Sequence, residues 1–152
     1  MRNAARAGTL AAIRAVGGAG IAGVEVADSP PGVVGVLGAI AGRVAERALL
    51  GVGTITSPEQ VRESAAAGAT FFVSPGYDAD VYGAIRDVDG FAMIGGFTPT
   101  EVQALIKSGV DPVKYFPGSI AGHAGLRALR GPFPDATYVP TGGVKPSNIG
   151  QL

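Results

Sequence analysis

Two charged residues stand inside apolar runs of this 152-residue chain. Glu25 lies between Val24 and Val26, and Lys114 lies between Val113 and Tyr115. Removing a charge from water is costly unless it is paired or neutralised. An amine held in an apolar pocket gives up its proton more readily, because burial disfavours the ammonium form, and the neutral amine is a nucleophile toward carbonyls. Lys114 therefore reads either as a carbonyl-directed nucleophile or as a strand-end lysine whose head reaches water along its apolar stem. Glu25 reads either as a proton carrier or as an edge-strand carboxylate facing solvent. The other two lysines fit other roles. Lys107 closes an Ala/Leu helix pattern, where a cation complements the helix dipole, and Lys145 follows a Gly-Gly turn in a solvated setting.

Small residues add a second set of candidates. Gly51-Val52-Gly53-Thr54 ends an apolar run, and its glycines would let backbone approach a ligand closely. Thr141-Gly142-Gly143-Val144 ends another, where paired glycines ahead of a helix start can offer backbone N–H groups to an anion. Each also reads as an ordinary tight turn. Ser74-Pro75-Gly76 reads as a rigid turn. His123, in Ala121-Gly122-His123-Ala124-Gly125, reads as a solvent-facing loop histidine, with contact to a ligand phosphate as the alternative. No dinucleotide-binding glycine fingerprint follows Gly53.

The elements that must position these residues follow one pattern. A short run rich in Val, Ile and Phe leads to a Gly/Pro turn and then to an Ala/Leu helix pattern. The runs are Gly23 to Ala27, Ala48 to Ile55, Thr70 to Ser74, Phe91 to Phe97, Pro112 to Phe116 and Thr137 to Thr141. They are nearly continuous rather than alternating, as parallel strands covered by helices are. Ser57-Pro58-Glu59-Gln60 and Thr98-Pro99-Thr100-Glu101 carry capping-box signatures, and Gly68 and Gly109 read as helix C-terminal glycines. Strand, capped helix and glycine in fixed order predict an α/β protein, either an open doubly wound sheet or a (β/α) barrel, in one domain over residues 1–152. Apart from His123, every candidate falls at or just beyond the C-terminal end of a strand run. That is the face that carries the active site in α/β barrels, and open sheets place their crevice there too. Six strand runs are fewer than the eight of a complete barrel, which typically needs about 200 residues or more.

Composition narrows the function classes. Hydrophobic residues make up 47% of the chain and charged residues 16%, a balance that favours a buried core over disorder. Formal net charge is zero and no Lys/Arg run exists, so neither nucleic acid nor another polyanion is expected as a partner. Cysteine is absent, which excludes disulfides and thiolate chemistry and fits a cytoplasmic protein. A single histidine makes a metal site unexpected. Arg2, Arg6 and Arg14 precede the first acidic residue, as in a transit peptide. The favoured reading is an amphipathic helix with Leu10 and Ile13 on one side. Arg14 and Gly17-Gly18 stop any apolar run short of a membrane span.

Taken together, five stretches resemble one family. They are Gly51-Val52-Gly53-Thr54-Ile55 with Pro58-Glu59-Gln60, then Phe72-Val73-Ser74-Pro75-Gly76, Val113-Lys114-Tyr115-Phe116-Pro117, Gly131-Pro132-Phe133-Pro134 and Pro140-Thr141-Gly142-Gly143-Val144. In order and spacing they are similar to the 2-keto-3-deoxy-6-phosphogluconate (KDPG) and 4-hydroxy-2-oxoglutarate aldolases, over almost the whole chain. The resemblance implies a (β/α)8 barrel of TIM type, a homotrimer, and a class I aldolase that uses no metal or organic cofactor and acts on a small keto-acid phosphate. It implies Lys114 as the Schiff-base lysine and Glu25 as the general acid/base. It places Thr54, Pro75, Phe116 and Thr141 on the pocket lining, and Gly142 and Gly143 on the phosphate-binding turn.

Departures qualify the implied substrate. The family's arginine shortly after the glutamate, which helps to hold the substrate carboxylate, has no counterpart in Glu25-Val26-Ala27-Asp28-Ser29-Pro30-Pro31, and Asp28 would repel an anion. Relatives acting on the galactonate epimer vary at the same place. A Pro-Gly turn of the family is Gly95-Gly96 here. Aligned by motif, the chain is expected to begin after the family's first strand and to end before its eighth. Three readings compete: a Schiff-base aldolase for the gluconate acid, its galactonate epimer or 4-hydroxy-2-oxoglutarate; a truncated member with impaired catalysis; and a different phosphate-binding barrel enzyme. The matched motifs, Lys114 above all, stand against the third.

Overall fold

The computed structural model describes residues 22–27, 33–44 and 48–151. The expected N-terminal helix and Asp28 lie outside the described residues. The chain divides into two compact units, the first comprising Met1–Ser74 and Asp78–Phe91 and the second Pro75–Tyr77 and Ala92–Leu152.

The first unit alternates strand and helix: β1 (Gly23–Ala27), α1 (Val33–Val44), β2 (Leu49–Gly53), α2 (Pro58–Ala66), β3 (Phe71–Ser74) and α3 (Ala79–Asp87). Its strands are parallel. Val24 pairs with Leu50 and Val26 with Val52, and then Val52 pairs with Phe72. These residues share one sheet face and are buried, as are Leu37, Ile40, Val61 and Ile85 of the helices. The opposite face carries Gly23, Glu25, Gly51, Gly53, Phe71 and Val73, since successive side chains alternate across a strand. Strand β1 is therefore buried only at Val24 and Val26, with Glu25 exposed between them. Helix α2 begins as the sequence predicts. Gln60 N–H donates to Ser57 Oγ at 3.4 Å, and Gln60 Oε1 accepts from Ser57 N–H at 3.0 Å and Thr56 N–H at 2.7 Å. Helix α3 has a cap of the same kind in Asp78, whose Oδ1 accepts from Asp80 and Val81 N–H at 2.9 Å each.

The second unit continues with β4 (Phe91–Gly96), whose first residue counts with the first unit, then α4 (Pro99–Lys107), β5 (Val113–Tyr115), α5 (Gly118–Arg130) and β6 (Tyr138–Pro140). A 3₁₀ turn at Ile149–Gln151 follows. These strands are parallel too, and in both units strand order follows chain order. Ile94, Val113 and Tyr115 face the helices with Val102, Leu105, Leu126 and Leu129 in the core. Lys114 pairs with Gly95 and Val139, so those three positions share the other face. Helix α4 carries the second capping box, with Glu101 in place of Gln60.

The architecture is thus α/β, with strands close to the expected runs. One expectation changes. The His123 stretch is not a loop: it lies in α5, which breaks at Gly122 (φ 52°, ψ −147°) and resumes beyond it, with His123 exposed. The break uses a left-handed φ that glycine adopts without a Cβ penalty. No helix among the described residues is long and apolar enough to cross a membrane.

Candidate active site

In the second unit the chemistry gathers around β5. Lys114 is its middle residue and only 6% exposed. It points away from the helices, because Tyr115 on the opposite face packs against them. Phe116, two residues along and on the same side, lies under the amine, with Lys114 Nζ 4.6 Å from the ring centroid. A cation over an aromatic face is attracted by the ring's quadrupole, and the same face gives a neutral amine an apolar wall. The strand places this pair because the register with Gly95 sets no side chain beside Lys114 on that edge.

The turn after β6 packs onto the start of α5. Thr141 N–H donates to Tyr115 O at 3.0 Å, and Gly118 N–H donates to Thr141 O at 2.8 Å. Gly142 and Gly143 both take positive φ, 87° and 76°. A Cβ at Gly142 would sit 3.5 Å from the Phe116 ring, and one at Gly143 would come within 2.6 Å of Ser119 Cβ. Asn148 holds the far side, donating from Nδ2 to Gly143 O at 3.0 Å while its Oδ1 accepts from Lys145 N–H at 2.7 Å. Phe116 thus lies against both Lys114 and Gly142, while Thr141 bonds to Tyr115 beside Lys114 and Gly143 lies against Ser119. Pro75 follows β3 directly and is half-buried.

In the first unit Glu25 is the third residue of β1, one rung below the strand end. Its carboxylate nevertheless reaches the rim. It occupies the space above Gly53, the last residue of β2, so that a Cβ on Gly53 would overlap Glu25 Oε1. A Cβ on Gly51 would overlap the Phe71 ring in the same way. The two glycines of Gly51-Val52-Gly53 therefore make room for side chains of this chain itself, which corrects the reading that they open backbone to a ligand. Thr54 comes next and adopts φ 66°, a left-handed conformation that costs a β-branched residue roughly 1–2 kcal/mol. Such outliers concentrate at functional sites.

Two features escaped the sequence. Tyr115 Oη and Tyr138 Oη are buried with no hydrogen-bond partner, and burial raises the pKa of both phenols, with Arg130 partly offsetting the shift at Tyr138. Tyr115 Oη lies where a Cβ of Gly125 would stand, 10 residues on in α5. The other feature is the Thr54 backbone, which no residue pattern signals.

The chain matches the family model "KDPG and KHG aldolase" over residues 2–152. It is 37% identical over 131 residues to the 2-dehydro-3-deoxy-phosphogluconate aldolase of Pseudoalteromonas atlantica, covering 85% of this chain and 60% of that protein. Two solved structures are similar. A native KDPGal structure superposes with a TM-score of 0.91 at 30% identity over 97% of this chain and 72% of that one. The KDPG aldolase of Legionella pneumophila, with pyruvate captured as a covalent carbinolamine intermediate, superposes with a TM-score of 0.83 at 29% identity over 94% and 68%. The chain spans about three fifths of the length of the Pseudoalteromonas relative. With a family model that accounts for nearly every residue and parallel βα repeats that match solved aldolases, the chain belongs to the KDPG and KHG aldolase family.

Proposed function

We propose that this chain carries the chemistry of a class I aldolase on 2-keto-3-deoxy-6-phosphogluconate-type acids, releasing pyruvate and glyceraldehyde 3-phosphate. The observation that carries the reading is Lys114, a lysine 6% exposed on the face of β5 opposite Val113 and Tyr115, with its amine against Phe116. A trapped pyruvate carbinolamine in the Legionella relative supports the same chemistry.

The sequence of steps follows from the electronics. Breaking a C3–C4 bond beside a ketone needs a place for the bonding electrons. The Lys114 amine adds to the C2 carbonyl to give a carbinolamine, and loss of water leaves an iminium. A base removes the C4 hydroxyl proton, the C3–C4 bond breaks, the aldehyde departs and the electrons rest in an enamine. Protonation at C3 and hydrolysis release pyruvate and restore the amine. Glu25 is assigned the proton transfers. Thr54, Pro75, Phe116 and Thr141 are assigned to the pocket lining, and Gly142 and Gly143 to the phosphate. The strands are assigned to a (β/α) barrel in a single domain over residues 1–152, acting as a trimer in the cytoplasm without metal or organic cofactor. The native KDPGal structure keeps the galactonate epimer open as substrate, and the family description keeps 4-hydroxy-2-oxoglutarate open.

Incubation with pyruvate and borohydride, followed by peptide mass spectrometry, tests the reading. One carboxyethyl adduct on Lys114 is expected. Labelling that is absent, or spread over Lys107 and Lys145, would sink it.

A further inference from the structure

We infer that Gly53 is a positioning residue for Glu25: the missing side chain at the end of β2 is what lets the carboxylate lie at the strand rim rather than swing into solvent. The inference rests on the aldolase reading for its consequence, but its geometric core does not.

Strand register sets the geometry. Glu25 stands opposite Gly51, and Ala27 stands opposite Gly53, all on the sheet face opposite Val24 and Val26. A glutamate at mid-strand leaning along its strand toward the C-terminal end reaches the level of the next same-face rung. That rung of β2 is Gly53. The Glu25 carboxyl oxygen, carboxyl carbon and Cγ all lie within 3.0 Å of where a Gly53 Cβ would be. Real Cβ atoms do not approach so closely, so any side chain at position 53 must displace the carboxylate. The rung below is closed differently. The Phe71 ring fills the Cβ space of Gly51 and lies 3.5 Å from that of Gly23. Phe71 is therefore a floor across three strands, with the carboxylate resting one rung above it on bare backbone. Gly53 lies within strand β2 outside the left-handed region, so backbone conformation does not require glycine there. Space for Glu25 does.

Gly53→Ala tests this in two arms. In the first, kcat for cleavage of 2-keto-3-deoxy-6-phosphogluconate falls on the order of 10- to 100-fold, because a displaced acid/base loses most of its contribution. Pyruvate trapping on Lys114 and KM stay within about twofold. In the Glu25→Gln background the same Gly53→Ala change leaves kcat within about twofold, since there is no proton carrier left to misplace. A parallel loss of trapping and cleavage, or an equal drop in both backgrounds, would overturn the inference. The second arm needs no activity. Urea unfolding of Gly53→Ala, Glu25→Ala and the double variant should be strongly coupled, with Gly53→Ala shifting the unfolding constant roughly tenfold beside Glu25 and little beside Ala at position 25. Should Gly53→Ala fail to fold, a folded double variant supports the inference, and an unfolded one overturns it. If wild type shows neither trapping nor cleavage, the aldolase reading has failed and this arm still decides the geometry.

Discussion

The two compact units solve the same problem with opposite means. The second unit sets a buried lysine over an aromatic ring, on a strand whose own sequence shows it as a charge in an apolar run. The first sets a glutamate on an exposed strand face and creates its place by omission, with Gly53 left bare and Phe71 lying over Gly51. Glu25 is held at its rim by what β2 lacks. The comparison teaches that a nucleophile can be made by environment, whereas a proton carrier that must stay ionisable is better placed than buried.

The contrast breaks first at Lys114. Lys114→Ala removes the only group assigned to covalent chemistry, so kcat/KM should fall on the order of 10⁴-fold or more, as removal of a nucleophile does elsewhere. Steady-state cleavage assays check the rate, and circular dichroism checks that the fold survives. Survival of appreciable cleavage would reassign the nucleophile. Glu25→Gln sharpens the other half. It should slow cleavage by roughly 10²–10⁴-fold while leaving the pyruvate adduct on Lys114, since the amide keeps the shape and loses the proton. Equal loss of adduct and turnover would make Glu25 structural rather than catalytic.

These two residues were legible in the sequence for a shared reason: a charge among Val and Tyr is conspicuous in one dimension. The strand runs and both capping boxes were legible because their signals are local, at spacings of two to four residues. The purpose of Gly51 and Gly53 was not. Their partners, Phe71 and Glu25, lie on neighbouring strands, and only register brings them over the glycines. The break at Gly122 escaped for a related reason, because a glycine-rich stretch reads equally as a loop or as a helix with a kink. Thr54 escaped because its strain resides in φ rather than in residue type.

Backbone strain separates the units again, and it predicts stability effects of opposite sign. Among the described residues the second unit gives its left-handed positions to glycine, at Gly109, Gly122, Gly142 and Gly143, whereas the first gives two of its three to Thr54 and Asp89 and the third to Gly68. Gly142→Ala should cost about 1–2 kcal/mol from conformation alone, since its Cβ meets only ordinary contact with Phe116. Thr54→Gly should gain roughly 0.5 kcal/mol, the relief of the left-handed cost less the entropy of a freer unfolded chain. Urea unfolding measures both. A loss of stability at Thr54→Gly would mean that packing of the threonine side chain outweighs its strain. A gain accompanied by reduced cleavage would mark the strain as part of the site.

The smallest effect lies in the paired helix caps. Helices α2 and α4 start with the same box, but the back-bonding residue is neutral Gln60 in one and ionisable Glu101 in the other. Glu101 Oε2 accepts from Phe97 N–H at 3.1 Å and from Thr98 N–H and Thr98 Oγ at 2.8 Å each. The backbone donor at Thr98, then its hydroxyl and the Phe97 amide, hold the Glu101 pKa below its usual value. A depressed carboxylate pKa contributes stability that is present above the unfolded-state pKa and lost as pH falls through the folded one. Helix α4 should therefore loosen as the pH drops below the ordinary glutamate range, while at α2 the back-bonding Gln60 does not titrate and only the fully exposed Glu59, whose pKa is lowered by its own backbone N–H and by Ser57, adds an acid dependence. Glu101 is largely exposed, so solvent screening keeps the effect well under about 1 kcal/mol. Glu101→Gln makes the two caps alike. It should lower stability slightly at neutral pH and leave it unchanged in acid. Amide hydrogen exchange at the first turns of α2 and α4, followed from pH 7 downward, resolves so small a change. Acid sensitivity of the α4 turn that persists in Glu101→Gln would show that Glu101 is not its source.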